Sequence, residues 1–234
     1  MIFFSFPPWD PGFMVAILNP GFLFSYAIFF SAAVYGVRHF KKLAPAYRVL
    51  VLLLVTVTIS ETMSRIIAYQ YNSTVPVYHF LIPFQIVFHS LIFKNLFIAK
   101  SASRLFLILG GIVLMLSIAI SINDGLFVFP SFNITWLSFY LILGTLYLFF
   151  QLVQNPSDKS LFSLAEFWFA MGTLFFYAGT FLIYGLYDYF TIDGRRLPSW
   201  VSKVTLTLNW ILYLSYFISI YLERIKAPSK HESH

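Results

Sequence analysis

The sequence contains no cysteine, and this absence excludes disulfide bonds, thiolate metal sites and cysteine nucleophiles. Charge is also scarce, because only 10% of the 234 residues are Asp, Glu, Lys or Arg, against roughly 25% in an ordinary soluble domain. Apolar residues are abundant instead: 59% of the chain is hydrophobic and the mean hydropathy is +0.80. The composition predicts an integral membrane protein, and neither a cofactor nor a metal is expected.

Seven apolar runs are long enough to cross a bilayer, which takes about 20 residues for a hydrocarbon core of about 30 Å. They lie roughly at residues 14–37, 48–70, 76–98, 103–123, 132–153, 162–187 and 199–222. The connections between them are short and contain turn residues, as in Asn123-Asp124-Gly125. The pattern predicts a single transmembrane domain over residues 1–234, folded as an all-α bundle of seven transmembrane helices.

The basic residues are unevenly distributed between the two sides of this topology. Eleven of the 15 Lys and Arg residues lie on one side: Arg38, Lys41, Lys42, Arg48, Lys94, Lys100, Arg104, Lys159, Arg224, Lys226 and Lys230. Because cytoplasmic turns are enriched in Lys and Arg, we expect the N-terminus outside and the C-terminus in the cytoplasm. The net charge of +6 therefore reflects topology, and we predict a multi-pass protein of the bacterial inner membrane with no nucleic-acid partner.

Two opposite charges interrupt the second apolar run, in the stretch Ser60-Glu61-Thr62-Met63-Ser64-Arg65. Glu61 and Arg65 are four residues apart, so they share one helix face. A charge at the bilayer centre costs on the order of 3 kcal/mol. We therefore expect both side chains to face the protein interior and to neutralise each other.

Polar residues recur at helical spacing in three further spans. They are Gln85 and His89 in the third, with His79 near its outer end; Glu166, Thr173, Tyr177, Tyr184 and Asp188 in the sixth; and Thr205, Asn209, Tyr213 and Tyr216 in the seventh. If spans 2, 3, 6 and 7 are neighbours, these faces form a polar pocket that opens outward. The predicted ligand-binding residues are Glu61, Arg65, His79, Gln85, Tyr184, Asp188 and Asn209. The alternative is that they only form hydrogen bonds between helices, worth about 0.6 to 2 kcal/mol each.

The sequence bears on three function classes. An intramembrane hydrolase is suggested because SETMSR resembles the EExxxR motif of prenyl-protein peptidases and bacterial immunity proteins, but Ser60 replaces the catalytic glutamate and Gln85 the later phenylalanine. A retinal protein would need a lysine well inside the last span, where Lys203 lies near the outer end. A small secondary transporter fits the length and topology, although the first three spans do not resemble the last three.

The second and third spans resemble a class of seven-span bacterial membrane proteins. The residues that carry the resemblance are Glu61, Asn72, Tyr78, His79, Pro83 and Gln85. Some members of that class serve as membrane sensor modules, so the resemblance implies a sensor or accessory signalling module with a cytoplasmic signalling partner. In this interpretation Arg65 meets an anionic group of a small ligand, and the basic inner turns contact anionic lipids or the partner.

Overall fold

The computed structural model describes residues 20–71, 73–156, 158–187 and 198–226, which contain seven long α-helices, two short 3-10 turns and no strand. The helices are α1 (Pro20–His39), α2 (Pro45–Tyr71), α3 (Val75–Leu96), α4 (Lys100–Asp124), α5 (Ser131–Gln154), α6 (Ala165–Gly185) and α7 (Ser199–Lys226). Helices α2 to α7 are each long and apolar enough to cross a membrane. The predicted all-helical, multi-pass class is confirmed, whereas the seventh span and the orientation of the termini stay predictions.

The helices end close to where the hydropathy pattern predicts. For α2 to α7 each predicted boundary lies within four residues of the observed one. Pro45 begins α2, and Pro76 lies in the first turn of α3, where a missing N–H leaves no intrahelical bond unmade. Gly125 follows α4 with a φ of 85°, a conformation that a residue with a Cβ rarely adopts.

Consecutive helices pack against each other, and α7 returns to pack against α1, so the bundle forms a closed ring. Trp210 of α7 donates a 2.7 Å hydrogen bond from Nε1 to Ser25 Oγ of α1 at this closure. Short connections make neighbouring helices antiparallel. The upper end of the bundle holds the starts of α1, α3, α5 and α7, and the lower end holds their last turns.

Close helix contacts depend on small residues where side chains would collide. A Cβ added to Gly172 of α6 would lie 2.6 Å from Ser215 Cβ of α7, and at Gly179 it would lie 2.6 Å from Leu208 Cδ1. These glycines belong to the small-residue pattern of the sixth span, which permits close backbone approach in membrane helices.

The outer face of the ring is apolar, as a bilayer requires. On α4 the side chains of Ile108, Met115 and Ile122 repeat at seven-residue spacing and are all well exposed. In contrast, the interior carries many polar side chains, including Gln85 and His89 on α3. Polar groups, which find no hydrogen-bond partner in lipid, are therefore directed into the bundle. The candidate site lies there.

Candidate ligand site in the helix bundle

Arg65 is held in place by a tyrosine of the first helix. Its Nε donates a 2.8 Å hydrogen bond to Tyr26 Oη, and its Cζ lies 4.2 Å from the centroid of the Tyr26 ring. The Tyr26 hydroxyl in turn donates a 3.2 Å bond to the backbone oxygen of Glu61. A guanidinium over an aromatic face is stabilised by the ring quadrupole, so α1 and α2 together orient this charge.

Glu61 and Arg65 form no direct ion pair within 4.0 Å, so their expected mutual neutralisation does not take place through a direct contact. The ion pairs in the described part of the chain are made by Lys226, at 3.2 Å from Glu166 and 3.9 Å from Glu223. The physical reason is that Tyr26 occupies the position beside the guanidinium and takes its Nε–H. The two charges of the α2 face interact only through space.

Tyrosines surround the Glu61 carboxylate instead. The side chains of Tyr26, Tyr78 and Tyr213, from α1, α3 and α7, all interact electrostatically with it. Glu61 is partly buried, and its carboxylate receives no hydrogen bond from any residue that the structure describes. The Glu61 carboxyl group thus lies within electrostatic range of tyrosine side chains from α1, α3 and α7.

Three largely buried polar side chains, from α3, α6 and α7, lie in the same part of the interior. The Gln85 amide and the hydroxyls of Tyr177 and Tyr213 make no hydrogen bond to a described residue, although the side chains are only 7%, 4% and 6% exposed. Tyr177 interacts electrostatically with Tyr213, so the two hydroxyls belong to one region. The amide and the two hydroxyls are therefore hydrogen-bonding groups that a bound ligand could use.

Below these groups a hydrogen-bonded chain connects three helices. His89 Nδ1 lies 2.8 Å from the Gln85 backbone oxygen, and since a carbonyl only accepts, the proton is on Nδ1. His89 Nε2 lies 3.2 Å from Tyr216 Oη, which lies 3.0 Å from Thr173 Oγ1. The chain links α3, α6 and α7, and its members are all nearly inaccessible to solvent.

An aromatic layer closes the polar region toward the lower end. Phe169 stacks on Tyr216 with ring centroids 5.5 Å apart, and Phe93 contacts Phe169 at 6.2 Å. Both phenylalanines are fully buried, as is Ile220 one turn below Tyr216. The polar core, defined by Glu61, Gln85, Tyr177, Tyr213 and the His89 chain, therefore ends on an apolar floor.

Some predicted site residues serve other contacts. His79 is buried, with Nδ1 2.8 Å from Ser121 Oγ of α4 and Nε2 2.8 Å from the Val128 backbone oxygen. Both ring nitrogens are thus used to attach the α4–α5 connection to α3. Asp188 lies outside the described residues.

Tyr184 and Asn209 lie at the upper margin of the core. Tyr184 is buried, interacts electrostatically with Tyr78 and packs against Phe129 with ring centroids 5.9 Å apart. Asn209 is almost completely buried and donates a 2.9 Å bond from Nδ2 to the Thr205 backbone oxygen. Of the predicted set, Glu61, Arg65, Gln85, Tyr184 and Asn209 are the residues that the structure places in or beside the core.

The predicted list omitted residues that define the site. Tyr213 and Tyr216 follow Asn209 on the same face of α7 at helical spacing, so that periodicity was a usable signal. No pattern in the sequence of α1 singles out Tyr26, whose role depends on the register between α1 and α2. No cluster of three His, Asp or Glu residues able to hold a metal occurs within residues 20–71, 73–156, 158–187 and 198–226.

Comparison of the chain with protein-family models, curated proteins and solved structures gives no match. What the fold and composition define is a class: a multi-pass helical membrane protein with six apolar helices that can span the bilayer around a polar interior.

Proposed function

We propose that the protein is a sensor or accessory signalling module of the bacterial inner membrane, and that its polar core binds a small anionic ligand. In this proposal α1 is the seventh span, the upper end of the bundle faces outside, and the C-terminus is cytoplasmic. The eleven basic residues on one side of the predicted topology support this orientation.

One observation carries the binding proposal: Gln85, Tyr177 and Tyr213 are largely buried in the same region, and their side chains make no hydrogen bond to a described residue. A polar ligand would supply the missing partners and so recover the free energy of their desolvation. The three groups come from α3, α6 and α7, so a ligand between them contacts three helices at once.

The charges above this region suggest the chemistry of the ligand. The Arg65 guanidinium is oriented by Tyr26, and guanidinium groups recognise carboxylate and phosphate. Glu61 lies four residues away and is suited to accept a bond from a hydroxyl or ammonium group. A ligand that carries both an anionic group and a donor, such as an amino acid, would use both residues.

The floor of the core favours a sensor over a carrier. Phe93, Phe169 and Ile220 are fully buried and form an apolar layer below Tyr216, whereas a carrier needs access from both sides. Tyr216, at the bottom of the core, contacts His89 of α3 and Thr173 of α6. Occupancy of the core would therefore act on the packing of α3, α6 and α7, from which a cytoplasmic partner would read the signal.

The test is a thermal-shift screen of purified protein with amino acids, small mono- and dicarboxylates, inorganic phosphate and sulfate. A probe present at 100 times its Kd should stabilise the protein by about 2.7 kcal/mol. The shift should be lost in Arg65→Gln and retained in Arg104→Gln, a matched change at an exposed arginine on the lower end of α4.

Contrary results would be clear. A shift that persists in Arg65→Gln would remove this arginine from the site. Uptake of the stabilising probe into proteoliposomes would favour the carrier, and probe hydrolysis that is lost in Glu61→Gln would favour the hydrolase. No shift across the panel would count against an anionic ligand.

A further inference from the structure

An aromatic cluster joins α1 to α7 at the lower end of the bundle. The Tyr35 ring lies 5.5 Å from Phe217, 6.1 Å from Tyr221 and 4.6 Å from the His39 imidazole. Tyr221 is well exposed. These contacts fix the last turn of α1 beside the last turns of α7.

Three positive charges collect around His39 at this position. Three nearby cations act electrostatically on the His39 ring. In decreasing order of effect these are Arg224, Arg38 and Lys42. The cluster contains one charge from α7, one from α1 and one from the turn between α1 and α2.

No described carboxylate pairs with these three cations. The acidic residues of α6 and α7, Glu166 and Glu223, instead form ion pairs with Lys226. Like charges held together without a counter-ion repel each other, so a bound anion would stabilise the three cations.

The turn that carries Lys42 is held rigid by Arg48. This arginine donates a 2.8 Å bond from Nε to the Leu43 backbone oxygen and a 3.1 Å bond from Nη2 to the Lys41 oxygen. Arg48 thus uses its guanidinium to hold the backbone of the turn, and Lys42 is exposed.

Exposed apolar residues neighbour two of these cations along the helices, since Val37 precedes Arg38 and Ile225 follows Arg224. Val34 and Val37 of α1 and Ile225 of α7 are each more than half exposed, at 51%, 56% and 53%. An exposed apolar strip that ends in a cationic cluster matches an anionic phospholipid, whose phosphate meets the charges while an acyl chain covers the strip.

We propose that Arg38, Lys42 and Arg224 form a binding site for the phosphate headgroup of an anionic phospholipid, with the acyl chain along Val34, Val37 and Ile225. This α1–α7 lipid site is separate from the polar core and does not depend on ligand binding there, but it rests on the proposal that α1 is the seventh span. Binding would fasten α1 to α7 at the point where the helix ring closes.

The test is native mass spectrometry of the full chain in detergent with added phosphatidylglycerol or phosphatidylcholine. The site variant replaces Arg38, Lys42 and Arg224 with glutamine. The control replaces Lys94, Lys100 and Arg104, three exposed basic residues on α3 and α4, and so has the same net charge. At roughly fivefold per surface charge, the site variant should bind phosphatidylglycerol on the order of a hundredfold more weakly than the control.

Each outcome decides the proposal. Retention of phosphatidylglycerol by the control but not by the site variant supports it, provided that phosphatidylcholine is not retained by either. Equal retention by the two triple variants would overturn it. Displacement of the lipid by millimolar inorganic phosphate would show a phosphate site without lipid specificity and would also overturn it. If the triple variant does not fold, Lys42→Gln alone should weaken retention about fivefold.

Discussion

Tyr216→Phe should destabilise the protein because it removes the hydroxyl at the centre of the buried chain. That hydroxyl contacts His89 Nε2 at 3.2 Å and Thr173 Oγ1 at 3.0 Å. Hydrogen bonds between membrane helices average about 0.6 kcal/mol and reach about 1.7, so loss of both contacts should cost about 1–2 kcal/mol. The measurement is the unfolding free energy in mild detergent with added SDS.

Tyr177→Phe is the matched control for this change. Both tyrosines are buried in the same region, but the Tyr177 hydroxyl makes no hydrogen bond to a described residue, so its removal should be neutral or stabilising. Thr173→Val combined with Tyr216→Phe should show a coupling energy above about 0.5 kcal/mol, the range found for contacting pairs. Equal losses in Tyr216→Phe and Tyr177→Phe, with no coupling, would refute the reasoning.

Two further predictions concern helix packing. Gly172→Ala should destabilise the protein by about 1–3 kcal/mol, because the new Cβ would lie 2.6 Å from Ser215 Cβ. Gly111→Ala should be tolerated, because its Cβ would meet no atom within 4 Å. Equal unfolding midpoints for the two variants would contradict this prediction. Gln151→Leu should lower the unfolding midpoint, because the Gln151 Oε1 accepts a 2.8 Å bond from the Ile98 backbone N–H. The substitution would leave that N–H unpaired, and faster hydrogen exchange at the Ile98 amide is the direct readout.

The helices were predictable from sequence because a bilayer imposes a simple rule of length and apolarity. The i,i+4 spacing of Gln85 and His89 also predicted correctly that one face of α3 is directed into the bundle, and both side chains are buried. These inferences use only the periodicity of a single helix.

What could not be predicted depends on the register between helices. Tyr26 meets Arg65 across the α1–α2 interface, and nothing in either helix alone predicts that contact. His79 looked available for a ligand, but both ring nitrogens are satisfied by α4 and by the connection after it. The spacing of residues along one helix therefore predicts which face is polar. Which residues meet across two helices depends on the tertiary packing.

The most direct test of the central claim, a polar core that opens only to the outside, is single-cysteine accessibility. The natural chain has no cysteine, so every introduced thiol is the only one. Tyr213→Cys should react with a charged, membrane-impermeant methanethiosulfonate added outside intact cells, and should be protected from the same reagent in inside-out vesicles. Leu214→Cys, on the exposed apolar face of α7, and Ile220→Cys, in the floor, should not react from either side. Reaction of Tyr213→Cys from the cytoplasmic side, or of Ile220→Cys from either side, would contradict the account.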